Sequence, residues 1–107
     1  MTPARGEIWL FDLRIVEKVR PALVISVAFG DADRAFVTIV PRTTSLRGSQ
    51  FEVPVKASFL KAGVFLVQGV STYPQVRAIR KLGVLRPDQF RLVLAGVLRW
   101  LGQTPGA

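Results

Sequence analysis

The chain of 107 residues carries 15 basic and 7 acidic side chains, a formal net charge of +8, and half of its residues are apolar. This length and apolar fraction fit a single domain with a buried core, which we assign to residues 1–107. Histidine and cysteine are absent, which excludes disulfides, thiolate or zinc–histidine sites, and serine or cysteine nucleophiles activated by histidine.

The first half of the chain predicts three strands. Residues 6–13, GEIWLFDL, place bulky apolar side chains on both faces of an extended segment. The second strand is expected at 22–28, because Pro21 fits only near the start or the edge of a strand. The third strand, AFVTIVP at 35–41, is expected to end at Pro41. The connecting segments are the short RIVEKV (14–19) and the turn GDADR (30–34).

The second half predicts shorter strands and one helix. QFEVPV (50–55) alternates like an edge strand, and ASFLKAG (57–63) fits one helical turn closed by Gly63. VFLVQGV (64–70) and KLGVL (81–85) are two further strands, whereas STYPQVRAIR (71–80) between them has no clear pattern.

A C-terminal helix has the most regular pattern. Pro87 suits a first helical turn, and Gly102 ends the segment. One apolar stripe recurs at spacings of three and four: Phe90, Val93, Leu94, Val97, Leu98 and Leu101. Leu92 and Trp100 lie outside the stripe, which indicates either extra burial against a second copy of the chain or a partly exposed Trp100. The elements together predict a mainly β (α+β) fold, a small, strongly bent antiparallel barrel followed by an amphipathic helix.

The charge is uneven along the chain. Residues 1–55 carry seven basic and six acidic groups, whereas residues 56–107 carry eight basic groups and only Asp88. This asymmetry favours a polyanionic partner, namely RNA, DNA, an acidic protein or a membrane surface, over a merely solvated basic face. No apolar run approaches the roughly 20 residues of a membrane helix, and the N-terminal MTPARGEIW lacks the apolar region of a signal peptide. We therefore expect a cytoplasmic protein.

Two segments carry groups suited to phosphate. Arg20 precedes Pro21, which restricts the backbone of both residues, and its guanidinium suits a phosphoryl oxygen. An arginine before a proline is equally typical of an exposed strand edge. The second segment, VPRTTSLRG (40–48), follows the third strand and carries hydroxyls and guanidinium groups: Arg42, Thr43, Thr44, Ser45 and Arg47. Such groups contact phosphates and sugars, although the hydroxyls can equally bond to the backbone of their own loop.

A third basic segment, RAIRKLG, contains Arg77, Arg80 and Lys81, which predict affinity for a nucleic-acid backbone or form a solvated edge. The carboxylates are scattered: Glu7, Glu17 and Glu52 suggest neither a paired acid/base site nor a magnesium site. We therefore expect no metal and no cofactor.

The order and spacing of four segments resemble the MazF/PemK/Kid family of toxin ribonucleases. These segments are RGEIWLFDL, RPALVIS, VPRTTSLRGSQFEVPV and a terminal amphipathic helix that begins near a proline. The resemblance extends from about Arg5 to Gly102. It implies a curved, SH3-like antiparallel sheet of the CcdB–MazF type, a homodimer, and neutralisation by an acidic antitoxin of a type II toxin–antitoxin pair.

The resemblance also implies an activity, the metal-independent, sequence-specific cleavage of single-stranded RNA. Arg20 matches the family's catalytic arginine, and Thr43 matches its catalytic threonine, two residues after the proline. In the family's reaction the ribose 2′-OH attacks the adjacent phosphate and leaves a 2′,3′-cyclic phosphate and a 5′-OH. Because the nucleophile belongs to the RNA, the protein needs only to hold the phosphate and stabilise its growing charge.

The chain departs from the family pattern in two places. A charged RNA-binding motif that follows the fifth strand in many relatives is replaced here by VQGVST, with Gln68 for the aspartate and Ser71 for the basic residue. The loop RIVEKV is also shorter, and Glu17 precedes Arg20 at a different spacing.

Two alternative functions remain at this point. One is a CcdB-like toxin that binds gyrase, and the other is a non-catalytic SH3-like nucleic-acid-binding module. Under the nuclease hypothesis we expect RNA contacts from the following residues: Glu17, Arg42, Thr44, Ser45, Arg47, Gln68, Arg77, Arg80 and Lys81.

Overall fold

Seven strands and one C-terminal helix make up the described residues, 2–14 and 19–103, of a computed structural model. The strands are β1 Glu7–Asp12, β2 Val19–Val24, β3 Phe36–Thr43, β4 Glu52–Pro54, β5 Val64–Leu66, β6 Ser71–Pro74 and β7 Ala78–Val84. Helix α1 covers Pro87–Trp100, and 3₁₀ turns lie at Val67–Gly69 and Gln75–Arg77.

The strands form one antiparallel sheet in the order β4-β5-β3-β2-β1-β7. Strand β3 is long enough to take two partners on one edge, β6 along Phe36–Ile39 and β5 at Arg42–Thr43. The predicted curved antiparallel sheet with a C-terminal helix is confirmed. Within the described residues, however, the outer strands β4 and β7 do not pair, so the sheet curves without closing into a barrel.

Two apolar clusters lie on opposite faces of the sheet, since neighbouring side chains of a strand alternate between its faces. The cluster between the sheet and α1 includes Ile8, Leu23 and Val93, all fully buried. The cluster on the opposite face includes Phe11 and Ile39, also fully buried. This double burial explains why GEIWLFDL is bulky on both faces.

Helix α1 confirms the predicted stripe except at Leu101, which lies beyond the end of the helix and is exposed. Val93 and Val97 are buried against the sheet, and Gly96 lies between Val53 and Val67. Outside the stripe, Leu92 is 57% exposed and Trp100 is 42% exposed, its ring resting edge-on against Phe51 with the centroids 5.1 Å apart. No helix in the described part is long and apolar enough to span a bilayer.

The predicted strand limits at the two prolines are wrong. Strand β2 begins before Pro21 and ends at Val24, and β3 passes through Pro41 to Thr43. Pro41 is tolerated because it falls where β3 changes partner: pairing with β6 ends at Ile39 and pairing with β5 begins at Arg42. Its missing N–H therefore breaks no ladder on that edge.

Other boundaries also differ from the prediction. Residues 57–60 form a turn closed by the Leu60 N–H and the Ala57 carbonyl, not a helical turn reaching Gly63. Strand β5 stops at Leu66 because a 3₁₀ turn follows, and the segment without a pattern contains β6 and the start of β7. The predicted edge strand is confirmed as β4, which lies at one end of the sheet.

Candidate active site

Strand register brings Arg20 and Thr43 to the same place. Strands β2 and β3 pair as Val24–Ile39, Leu23–Val40 and Ala22–Pro41, and their pairing ends there. The same register, continued by two residues, sets Arg20 opposite Thr43 on one face of the sheet. The ladder has already ended there, so its backbone pairing does not join these two residues, and both of them line open space that can admit a ligand.

Two adjoining clefts occupy this space, one of about 770 Å³ and the other of about 400 Å³. Arg20 and Thr43 line both of them. The larger cleft continues between the side chains of Thr44 and Ser45 and the turn that carries Phe59 and Lys61. A group bound between Arg20 and Thr43 therefore has room on either side, as an internal phosphate of a chain requires.

Thr43 is held from two directions. Its backbone pairs with Val64 of β5, and its Oγ1 accepts a hydrogen bond from the Ser45 N–H at 3.0 Å. A threonine hydroxyl that accepts from the backbone keeps its own proton to donate. The loop contact and the phosphate contact considered for this segment are thus compatible in a single side chain.

Gly63 permits the close approach of β5 to Thr43. A Cβ at this position would lie 2.5 Å from the Thr43 carbonyl oxygen and 3.4 Å from Nε of Arg42. No other residue type fits that space without moving the end of β3, since real Cβ atoms essentially never come within 3.0 Å of another heavy atom. The glycine therefore contributes to the position of Thr43.

Arg42 lies beneath both clefts and is only 5% exposed. Its Nη2 donates to the Lys61 carbonyl at 3.0 Å, and its guanidinium carbon lies 5.0 Å from the centroid of the Phe65 ring. Nε and Nη1 are buried without a hydrogen-bond partner among the described residues. Burial lowers the pKa of Arg42, but an arginine remains charged at neutral pH, so the site has a fixed positive charge in its floor.

The loop after Thr43 is fastened by one carboxylate. Glu52 accepts hydrogen bonds from the backbone N–H groups of Arg47 and Gly48, both at 3.0 Å, and of Ser49 at 3.3 Å. Glu52 is also the one acidic side chain among the described residues that line the two clefts. Its contacts hold Arg47, which lines the smaller cleft, close to the Arg20–Thr43 pair.

Residues 4–101 match the sequence profile of a family described as the PemK-like, MazF-like toxin of type II toxin–antitoxin systems. The chain belongs to this toxin family. The matched segment contains every residue of both clefts, so the site lies within the family domain.

Solved structures of MazF toxins have the same fold as this toxin. A MazE–MazF structure from Deinococcus radiodurans aligns with a TM-score of 0.81 at 24% identity, covering 97% of this chain and 99% of that one. An endoribonuclease in complex with its cognate antitoxin from a mycobacterial species gives 0.79 at 23% identity, with coverages of 94% and 95%. Mycobacterium tuberculosis toxin MazF-mt6 gives 0.76 at 26% identity, with coverages of 91% and 97%.

The predicted binding residues divide into two groups. Arg42, Thr44, Ser45 and Arg47 line one or both clefts beside the pair, whereas four others lie outside the cleft linings: Gln68, Arg77, Arg80 and Lys81. Gln68 is exposed on the 3₁₀ turn next to Gly69, which lines the smaller cleft. The predicted contact at Glu17 lies outside the described residues.

Two of the basic residues on β7, Arg80 and Lys81, differ in their surroundings. Arg80 pairs with Leu10 of β1, a residue that lines the larger cleft. Lys81 forms an ion pair with Glu7 at 2.9 Å. Burial opposes ionisation of Glu7, but hydrogen bonds from Lys81, Trp9 and Ala4 outweigh it and lower the pKa of this carboxyl. Lys81 is thus already engaged on the toxin surface.

Sequence reasoning missed several cleft residues. Phe59, Leu60 and Lys61 form one wall of the larger cleft, and Tyr73 lines the smaller one. Phe59 and Leu60 fell in a segment interpreted only as a helical turn, and Tyr73 in the segment without a pattern. Each of the two segments contains one aromatic residue, Phe59 or Tyr73, and that residue was the only signal in the sequence that could have indicated a binding site. Within the described residues, no three or more Asp, Glu, His or Cys side chains are grouped so as to hold a metal ion.

Proposed function

We propose that the toxin is a metal-independent endoribonuclease that cleaves single-stranded RNA at a phosphate held between Arg20 and Thr43. The observation that carries this proposal is that Arg20 and Thr43 line the same two clefts at the end of the β2–β3 ladder. Membership of the MazF-like toxin family supports the reaction class, and two of the similar proteins, both from mycobacteria, are described as endoribonucleases.

The reaction uses a nucleophile from the RNA. The ribose 2′-oxygen attacks the adjacent phosphorus, the P–O5′ bond breaks, and the products carry a 2′,3′-cyclic phosphate and a 5′-OH. In the net reaction one proton leaves the 2′-oxygen and one is taken up by the 5′-oxygen, so the atoms balance without water or metal. The protein contributes position and charge stabilisation.

Each residue has a separate role in this proposal. Arg20 presents a planar guanidinium donor to the phosphoryl oxygens, and because arginine side chains stay charged in proteins it acts as an electrostatic stabiliser rather than a base. Thr43 donates its hydroxyl proton to a second phosphoryl oxygen, since its Oγ1 is oriented by the Ser45 N–H. Arg42 adds positive potential from the floor of the site, where low exposure reduces screening.

The proposal includes the partners of the toxin. We infer a homodimer in the cytoplasm that an acidic antitoxin neutralises. The excess of basic groups in residues 56–107 suits both RNA and an acidic peptide. Support comes from the similar structures, among them a MazE–MazF structure and an endoribonuclease with its cognate antitoxin.

The proposal is tested by incubating purified toxin with a long single-stranded RNA in EDTA. We expect cleavage by the wild type and a loss of at least 100-fold in rate for Arg20→Ala and Thr43→Ala, on the order of the loss of an oxyanion donor. Val27→Ala is the control, since Val27 is exposed and lies outside both clefts. Intact RNA with the wild type, or full activity of Arg20→Ala, contradicts the proposal. Inhibition of supercoiling without RNA cleavage would instead support a gyrase-binding toxin.

A further inference from the structure

Tyr73 belongs to the same sheet face as Thr43. Strand β6 pairs with β3 as Val37–Tyr73 and Ile39–Ser71. Directly paired residues share a face, and so do every second residues of a strand. Val37, Ile39 and Thr43 are therefore on one face of β3, and Tyr73 lies beside it on β6.

The tyrosine side chain reaches the site from this position. It lines the 400 Å³ cleft together with Arg20 and Thr43. It also packs against the buried cluster that contains Phe11 and Ile39, which fixes its ring to the sheet. An aromatic residue thus lines the same cleft as the residues proposed to hold the phosphate.

Arg77 supports the ring from outside the cleft. Its guanidinium carbon lies 5.6 Å from the centroid of the Tyr73 ring, within the range of a cation–π contact. Arg77 is not among the residues that line the smaller cleft, whereas Tyr73 is. The guanidinium therefore lies outside the cleft that Tyr73 lines.

The rest of the smaller cleft suits a flat, partly polar group. Its wall includes the apolar side chains of Leu13, Ile39 and Leu66, and its polar lining includes Ser71 and Arg47. The volume is within the range of small-ligand sites. An aromatic platform with apolar walls and a few hydrogen-bonding groups is the usual environment of an unstacked nucleobase.

We propose that Tyr73 is the stacking platform for a nucleobase next to the phosphate held by Arg20 and Thr43, which makes the smaller cleft a base-binding subsite. This inference rests on the proposed ribonuclease function and adds to it a contact that selects the substrate. The larger cleft takes the nucleotide on the other side of the phosphate. Only unpaired bases can enter such a subsite, because a paired base is stacked within a helix.

Kinetics of two tyrosine variants test the platform. Tyr73→Leu keeps an apolar side chain but removes the ring, and we expect its KM for RNA to rise about 5- to 10-fold, the lower end of what stacking contributes per base. Tyr73→Phe restores the ring and most of the wild-type KM. Phe36→Leu makes the same aromatic-to-leucine change on exposed β3 surface outside both clefts and leaves KM unchanged. Unfolding midpoints of all variants show whether each is folded under the assay conditions.

A binding measurement separates this inference from the proposed function. The probe is a short RNA with 2′-deoxyribose at the cleavage site, with and without the base on one side of the phosphate. Removing the base that occupies the subsite should weaken wild-type binding about 5- to 10-fold but leave Tyr73→Leu unaffected. The platform is overturned if removing the base on either side of the phosphate weakens RNA binding equally in the wild type and in Tyr73→Leu, whether or not the toxin cleaves RNA. Absence of cleavage by the wild type overturns the proposed function alone.

Discussion

Gly63→Ala is the substitution that most sharply separates the position of Thr43 from the stability of the fold. The new Cβ would lie 2.5 Å from the Thr43 carbonyl oxygen, a backbone atom with no rotamer to change. The chain must therefore move by about 0.5 Å to reach the shortest contact that real Cβ atoms make, 3.0 Å. Strand β5 and the end of β3 are forced apart by this distance.

The expected loss of activity follows from that displacement. A misplacement of about 1 Å costs on the order of 100-fold in rate, so a shift of half that size should cost on the order of 10-fold in kcat/KM. Overpacking of this kind also lowers the free energy of unfolding by about 1–3 kcal/mol. Single-turnover cleavage of RNA and urea denaturation measure the two effects, under conditions where both proteins are fully folded.

Gly96→Ala is the matched control. Its Cβ would meet Val53 and Val67 at 3.0 and 3.1 Å, but these are side-chain methyl groups beneath α1, and Gly96 lines neither cleft. We expect a change of about 1 kcal/mol or less in stability, because crowding is offset by the higher helix propensity of alanine, and unchanged cleavage. Wild-type activity of Gly63→Ala would refute the argument that close β3–β5 approach positions Thr43.

Three further predictions concern charged side chains. Glu52→Ala releases the loop N–H groups and should speed tryptic cleavage after Arg47 several-fold; an unchanged digestion rate would show that the carboxylate does not hold the loop. Arg42→Met removes a buried charge with two unpaired nitrogens, so urea denaturation should show a free energy of unfolding about 1 kcal/mol higher than that of the wild type. The same variant should bind RNA more weakly. A clear loss of stability would contradict the expected cost of the buried charge. Because the folded pKa of Glu7 is lowered, its stabilising contribution is present above the ordinary carboxyl value of about 4.3 and is lost as pH falls. The difference in melting temperature between wild type and Glu7→Gln should therefore shrink from pH 7 to pH 3, and a constant difference contradicts it.

Local patterns predicted some elements well. Helix α1 was predictable because its apolar spacing, as at Val93 and Val97, depends only on the period of a helix. Strand β1 was predictable because GEIWLFDL places bulky apolar side chains on both faces of an extended segment. The strand limits predicted from the prolines were wrong. Whether Pro41 is tolerated within β3 depends on which strands lie on either edge of β3, and the neighbouring residues in sequence do not specify those strands.

The site also combines residues that the sequence predicts with positions that depend on contacts far along the chain. The catalytic roles of Arg20 and Thr43 are predicted from family resemblance, while their proximity depends on a register set by pairs far along the chain, such as Ala22–Pro41. Phe59 and Tyr73 reach the clefts through the turn and the strand that carry them, and neither position follows from local pattern. The burial of Arg42 was equally unpredictable, since arginine is normally exposed.

Attack by the RNA's own 2′-oxygen is tested most directly by comparing two substrates in EDTA. One is a short single-stranded RNA, and the other is the same RNA with one 2′-deoxyribose at the mapped cleavage site. The all-ribose RNA should be cut to a 2′,3′-cyclic phosphate and a 5′-OH, and the substituted RNA should remain intact at that site. Cleavage of the substituted RNA there, or a 5′-phosphate on the product, would contradict attack by the RNA's own 2′-oxygen at the Arg20–Thr43 site.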